Sequence, residues 1–320
     1  MRSLLVLLAA LTSCVTPPGG PPAESVSDAP YVLVLGTAQD GGLPQIGCQG
    51  PHCRRARRSE AFARRVTSLL LCDPTTGERW LFDASPDLPR QVEAMHGHPS
   101  TRALAGPRPP LVDGVFLTHA HMGHYLGLAH FGPEAYGARD LPVWGTPRMQ
   151  AYLRGNGPWS LLVEAGTIVL RGLAPGERVV LNERLAVRAL AVPHREEFTD
   201  TVAFVLEGPR RSLLYLPDID KWERWDVPIE EVLADVDVAL LDASFFDAGE
   251  IPGRDLADIP HPFVVESLAR FAPLPASERA KVRFTHLNHS NPVCDPDSEE
   301  AARVRDAGMF VASDGERHAL

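Results

Sequence analysis

The sequence predicts an α/β domain with many strands. Three observations predict it: short apolar runs bounded by turn residues recur along the chain, helical stretches lie between several of them, and no second composition break divides residues 31–320. In chain order the strand runs are 31–35 (Tyr-Val-Leu-Val-Leu, closed by Gly36), 67–71, 80–82 (Trp-Leu-Phe, closed by Asp83) and 115–117, which follows Gly114. Further on come 185–192, 201–206, 212–216 (ended by Pro217), 236–241, 283–284 and 309–311. The predicted helices are 86–96, 126–130 with an extension, 147–154, 262–271 and 296–307. No repeat of the kind that builds solenoids and no glycine-rich phosphate loop is present.

Ahead of the domain, Arg2 and the apolar run 4–11 have the charged start and apolar core of a secretion signal, too short to span a bilayer. Leu11-Thr12-Ser13-Cys14 resembles a bacterial lipobox, so residues 1–13 are expected to be removed and Cys14 to be lipidated; an ordinary cleaved signal is the other reading. Residues 14–30 are rich in Pro, Gly and Ser and predict a flexible tether. The expectation is an exported lipoprotein of the bacterial envelope, at the periplasmic face of the outer membrane, touching the membrane through its anchor alone. A formal charge of −10 argues against nucleic acid or an anionic membrane surface as a partner and leaves a small-molecule substrate.

The chemistry concentrates in His119-Ala-His121-Met-Gly-His124, directly after the run 111–117. Imidazole binds zinc, iron or manganese without needing a charge, and three within six residues converge only if a tight loop turns them inward. His194, Asp218 and His286 each follow another strand run, and loops at strand ends can gather such residues at one sheet edge. Asp83 and Asp242 also end apolar strands. They read either as carboxylates that orient histidine ligands or as plain turn residues. His261 reads as a surface-loop residue, His96, His98, His130 and His318 as exposed, Cys72 as a buried thiol and Cys294 as a loop thiol.

The order H-x-H-x-x-H, a lone His, an Asp and a late Thr-His resembles the metallo-β-lactamase superfamily over nearly all of residues 31–320. The resemblance implies a four-layer αββα sandwich with the metal site at one edge between two sheets. It makes His119, His121 and His194 ligands of a first metal, Asp218 a bridging carboxylate, and His124 and His286 ligands of a second. One position departs: the family loop reads H-x-H-x-D-H, and Gly123 stands where its aspartate belongs. That implies one firmly held metal and a weaker second one, whose occupancy Gly123→Asp should raise.

Residues 36–45 (Gly-Thr-Ala-Gln-Asp-Gly-Gly-Leu-Pro-Gln), 48–57 and 84–88 are similar to the pyrroloquinoline quinone biosynthesis protein B family, and more distantly to the phosphodiesterases of the carbon-phosphorus lyase pathway. Both carry a C-x-C-x-x-C clamp; here the middle cysteine is missing from Cys48-Gln-Gly-Pro-His52-Cys53, and the phosphodiesterase's histidine ligand falls on His289. The expectation is a structural zinc on Cys48, His52, Cys53 and His289, or a disulfide in an oxidising compartment.

Function follows from the same resemblance. The first reading is a hydrolase in which metal-bound hydroxide attacks an ester or phosphodiester small molecule, with Asp218 and His194 in the catalytic set and one or two zinc ions, or iron or manganese, as cofactor. The second is an iron-dependent oxidation or hydroxylation of quinone cofactor biosynthesis, for which an exported chain is in the wrong compartment. The third is a non-catalytic metal-binding lipoprotein.

Overall fold

The computed structural model describes residues 28–96, 110–250, 253 and 259–320. The expectations for residues 1–13, for Cys14, for most of the tether and for His98 lie outside those residues.

Fourteen strands form two seven-stranded sheets among the described residues. The first half of the chain gives β1 (Tyr31–Gly36), β2 (Ser68–Asp73), β3 (Glu78–Phe82), β4 (Gly114–Phe116), β5 (Leu141–Gly145) and β6 (Ile168–Gly172). The second gives β7 (Arg178–Val180), β8 (Ala186–Val192), β9 (Thr201–Glu207), β10 (Ser212–Leu216), β11 (Val238–Asp242), β12 (Val282–Thr285), β13 (Phe310–Val311) and β14 (Arg317–Ala319). One sheet runs β14-β1-β2-β3-β4-β5-β6 and the other β13-β12-β11-β10-β9-β8-β7. The last strand thus crosses back to the first sheet, pairing Tyr31 with Ala319.

Each sheet is apolar on both faces, and period two explains how. In β1, Tyr31, Leu33 and Leu35 enter one core while Val32 and Val34 enter another. In β10, Leu214 and Leu216 point away from the first sheet while Leu213 and Tyr215 point toward it. Three buried clusters result. The middle one lies between the sheets, where Phe204 of β9 meets Phe82 and Phe116 edge-on at 5.5 and 5.7 Å. Such aromatic pairs add roughly 0.5–1.5 kcal/mol each beyond area burial. The outer clusters are covered by helices. On the first sheet these include α2 (Leu88–His96), α4 (Pro147–Gly155) and α5 (Trp159–Glu164); on the second, α6 (Ile229–Ala234), α7 (Val264–Phe271) and α9 (Glu299–Asp306). Three cores between four layers make the αββα sandwich that the resemblance implies.

The strand register settles where function can sit. β3, β4, β5 and β6 pair in parallel, as do β10, β11, β12 and β13, and β1 and β8 run the same way as those sets because two antiparallel steps separate each from them. The carboxyl ends of β1, β3 and β4 therefore share one edge, and so do those of β8, β10, β11 and β12. No helix among the described residues is long and apolar enough to cross a membrane.

Sequence reading missed β5, β6, β7 and β14, and the short helices α1 (Pro51–Ala56), α5, α6 and α8 (Ala276–Arg279). These elements are brief: β5 is interrupted by Pro142, β6 has only the three apolar residues Ile168 to Leu170 before Arg171, and β7 is three residues long and mostly exposed. His318 and Cys294 are corrections. His318 is buried on β14, and Cys294 is buried in a 3-10 turn rather than in an open loop.

Candidate metal centre

The loop after β4 carries Thr118 to His121 into α3 (Met122–Tyr125), a single turn whose N-cap is His121. It places His119 and His124 in the interior, with ring centroids 4.3 Å apart, and His121 at the half-buried rim. His194 follows β8, Asp218 follows β10 and His286 follows β12, all buried. Four ligand atoms from His119, His121, His194 and Asp218 lie within 4.8 Å of one another. A second group on the other side of Asp218 contains Asp242, His261 and His286, and a third brings Asp40 to His124 and His286.

Hydrogen bonds around the cluster fix which nitrogen of His119, His121, His124 and His286 faces inward. Asp83 accepts from His124 Nδ1 at 2.7 Å, so His124 presents a bare Nε2. Thr118 Oγ1 donates to Asp83 at 3.0 Å and thereby accepts from His119 Nδ1 at 3.0 Å, leaving His119 Nε2 bare. The same relay recurs on the other sheet. Ser244 Oγ donates to Asp242 Oδ1 at 2.9 Å and accepts from His286 Nδ1 at 3.0 Å, which leaves His286 Nε2 bare. Glu197 accepts from His121 Nε2 at 3.0 Å, turning its Nδ1 inward.

These tautomers are costly without a cation. His119 Nε2 and His121 Nδ1 face each other at 2.8 Å with both lone pairs inward. Asp218 Oδ2 stands 2.9 Å from His124 Nε2 and 3.2 Å from His286 Nε2. Among the described residues those three atoms, and both nitrogens of His194, are buried with no aligned hydrogen-bond partner. Unpartnered buried polar atoms each cost roughly 1–3 kcal/mol, and a converging set of them fits a divalent cation.

The electrostatics agree for His119, His194 and Asp218. At His124, by contrast, burial is outweighed by Asp83 and Asp218, which raise its pKa well above the ordinary value, so a cation there would replace a proton on Nε2. Burial pushes His119 well below the usual imidazole range and His194 down to about 4, so both are neutral donors. Burial acts against ionised Asp218, but His286 and His124 outweigh it and hold the carboxyl well below its ordinary value. Asp83 and His286 adopt left-handed backbone, φ 62° and 58°, at the ends of β3 and β12, a conformation non-glycine residues keep where their surroundings over-determine it.

Asp83 and Asp242 thus both touch the histidines from outside. Asp242 also accepts from the Ile219 backbone N–H at 3.1 Å and from His261 Nδ1 at 2.7 Å. His261, expected on a surface loop, is buried, its ring 5.3 Å from that of His194 and 5.9 Å from that of His286. Burial lowers its affinity for a proton, Asp242 more than offsets this, and its pKa is raised. Sequence reading missed His261, Glu197 and Asp40, which belong to loops without an apolar run ending in a histidine. The one available signal for Asp40 was its place just beyond a buried strand.

A separate cluster lies at α1. Cys48, Cys53 and His289 bring ligand atoms within 4.8 Å of one another, both cysteines being free thiols. Backbone N–H groups of Gly50 and Gln45 point at the Cys48 and Cys53 sulfurs at 3.2 and 3.4 Å, and His289 Nδ1 is buried without a hydrogen-bond partner. The four-residue set is corrected in one member. His52, one helix residue before Cys53, faces elsewhere: its Nδ1 meets the His289 carbonyl at 3.2 Å and its ring lies against Phe62.

Comparison with known proteins places this geometry among relatives. The profile described as "Beta-lactamase superfamily domain" matches residues 78–287. The chain is 27% identical to coenzyme PQQ synthesis protein B of Nitrosococcus oceani over 314 residues, covering 89% of this chain and 98% of that one. The crystal structure of Zn(2+)-bound PqqB from Methylobacterium extorquens superposes with a TM-score of 0.77 at 23% identity, covering 91% of this chain and all of that one, that is 100%. A diphosphatase of the PhnP family gives 0.65 at 21% identity, covering 91% and 97%.

Proposed function

Because this chain belongs to the β-lactamase superfamily, we propose that its histidine and aspartate cluster makes it a metal-dependent hydrolase of an ester or phosphodiester small molecule. The observation that carries this reading is Asp218. One carboxylate faces the first histidine set through Oδ1, 3.5 Å from His194 Nε2, and the second through Oδ2, so two cation positions share it. His119, His121, His194 and Asp218 would hold the first cation, and His124, His286 and Asp218 the second. Paired cations supply Lewis acidity and a nucleophile at neutral pH; zinc fits the nitrogen-rich first set, and manganese or iron the second as well.

The chain's own groups do the rest. Asp83 and Asp242 keep the imidazoles in the tautomers described, so no reorganisation is needed when substrate arrives. His261 has Nδ1 engaged by Asp242, which leaves Nε2 as the nitrogen able to hand a proton to a departing alkoxide. Met122 and Phe198, exposed beside the loops that carry His121 and His194, offer apolar surface to the substrate's organic part.

The test is turnover. Metal-stripped protein should be inert toward a bis-aryl phosphodiester and regain chelator-sensitive hydrolysis with zinc or manganese. A second reading, oxidation in quinone cofactor synthesis, is favoured by the relatives named coenzyme PQQ synthesis protein B. Dioxygen consumption with iron and no hydrolysis with any metal would select it.

For localisation the proposal rests on residues 1–14 alone: export and lipidation at Cys14, with no other membrane contact. Cys48, Cys53 and His289 are proposed as a structural zinc set.

A further inference from the structure

We infer that Asp40 supplies the carboxylate of the second cation position, in the space that Gly123 leaves open. This rests on the metal-centre reading above.

Asp40 Oδ1 lies 3.8 Å from His124 Nε2, and one ligand atom each from Asp40, His124 and His286 falls within 4.8 Å of the others. The imidazole nitrogens it approaches are two of the buried atoms without hydrogen-bond partners. Without Asp40 that position has two imidazole nitrogens and a share of one carboxylate; with it the position gains a second anion, which favours a divalent cation.

Asp40 is held there from two directions. The Gly123 backbone N–H donates to its Oδ1 at 3.0 Å. On the other side, the loop after β1 is fastened to the chain just beyond His286: Gln39 N–H donates to the Leu287 carbonyl at 2.9 Å, Leu287 N–H to the Thr37 carbonyl at 2.8 Å, and Asn288 Nδ2 to Gln39 Oε1 at 2.6 Å. The loop that carries Asp40 and the segment that follows His286 are thus joined by three hydrogen bonds.

Gly123 is the complement of Asp40. A Cβ at position 123 would run into Asp40 Oδ1 and would sit 3.0 Å from Asp40 Cα. A carboxylate can be delivered to this position from residue 123 or from residue 40, but not from both. This revises the expectation for Gly123→Asp: in the wild-type background it collides with Asp40 and should lower second-site occupancy rather than raise it.

The experiment is a zinc titration of metal-stripped protein, by calorimetry and by zinc content after dialysis, read as the difference between variants so that zinc at Cys48 and Cys53 cancels. Asp40→Asn keeps the shape and the acceptor for the Gly123 N–H. It should bind one zinc fewer per chain, or bind the weaker zinc at least roughly tenfold less tightly, the low end of what even outer-shell substitutions cost. Gly123→Asp alone should lose the same zinc, and Asp40→Gly combined with Gly123→Asp should regain it. Unchanged stoichiometry and affinity in Asp40→Asn would overturn the assignment, as would a double variant no better than Gly123→Asp alone while apo thermal unfolding shows it folded. A wild type that takes up no zinc beyond the cysteine cluster would overturn the metal-centre reading itself, and this inference with it.

Discussion

Tyr215 donates its hydroxyl to Asp83 Oδ2 at 3.0 Å, a hydrogen bond that joins β10 of one sheet to the end of β3 in the other directly beneath the histidine cluster. Burial and the neighbouring Asp83 raise the tyrosine's pKa well above its ordinary value, so the group stays a donor. The same carboxylate orients His124 and, through Thr118, His119. The packing of the two sheets and the aim of two ligands therefore share one anion.

Tyr215→Phe should destabilise the apoprotein by about 1.5–3 kcal/mol, the worth of a hydrogen bond to a charged acceptor. Because Asp83 keeps its other partners, metal binding should weaken only a few-fold, whereas Asp83→Asn should weaken it about ten- to a hundred-fold. Urea unfolding of apoprotein together with zinc titration separates the two effects; equal loss of affinity in both variants would refute the division of labour.

The α1 cluster gives a second expectation. Protein whose catalytic cluster has been emptied by mild chelation should retain close to one zinc, and Cys48→Ser should lose it along with part of its thermal stability. Intact-mass measurement offers the contrary result: a chain lighter by two hydrogens, with no retained zinc, would mean that Cys48 and Cys53 are joined as a disulfide.

Glu230 and Arg270 form a bidentate pair between α6 and α7, at 2.7 and 2.9 Å. The Arg270 hydrogen bonds hold Glu230 below the usual carboxylate range, against a smaller opposing effect of burial. A depressed carboxyl pKa stabilises the fold above the unfolded-state value and ceases to do so as pH falls through the folded one. Both side chains are partly in solvent, so the pair contributes no more than about 1 kcal/mol. The melting temperature of Arg270→Met should fall below that of wild type at pH 7, and the gap should close as pH falls below the usual carboxylate range. A gap independent of pH would assign the loss to packing of the arginine stem.

Cys14→Ser should move the protein from the membrane to the soluble envelope fraction, since multiple acyl chains on that residue are the proposed anchor. Retention of the variant in washed membranes would exclude it.

Most of the scaffold was legible because its strands are buried on both faces: the uninterrupted apolarity of β1, β10 and β11 is what three stacked cores require. His119, His121, His124, His194, Asp218 and His286 were legible for a related reason, each falling just beyond such a run. Asp40, Glu197 and His261 were not. Their roles depend on which loops meet across the edge, and no local pattern records that His261 would turn inward to Asp242 or that Gly123 would make room for a side chain from the far end of the domain. His52 erred the other way: a ligand type at the right spacing, on the wrong side of a helix turn.

The pairing of the β1 loop with residues 287 and 288 sets an order of events during biosynthesis. Potential ligands stretch from residue 40 to residue 286, and β14, which completes the first sheet, follows them all. A nascent chain halted before residue 286 already carries His119, His121, His194 and Asp218 but lacks His286 and the strand that closes the first sheet, and contacts this distant in sequence form late and slowly. The second cation position, which needs both Asp40 and His286, is thus completed only when the two ends of the domain have met, long after the residues of the first have been synthesised.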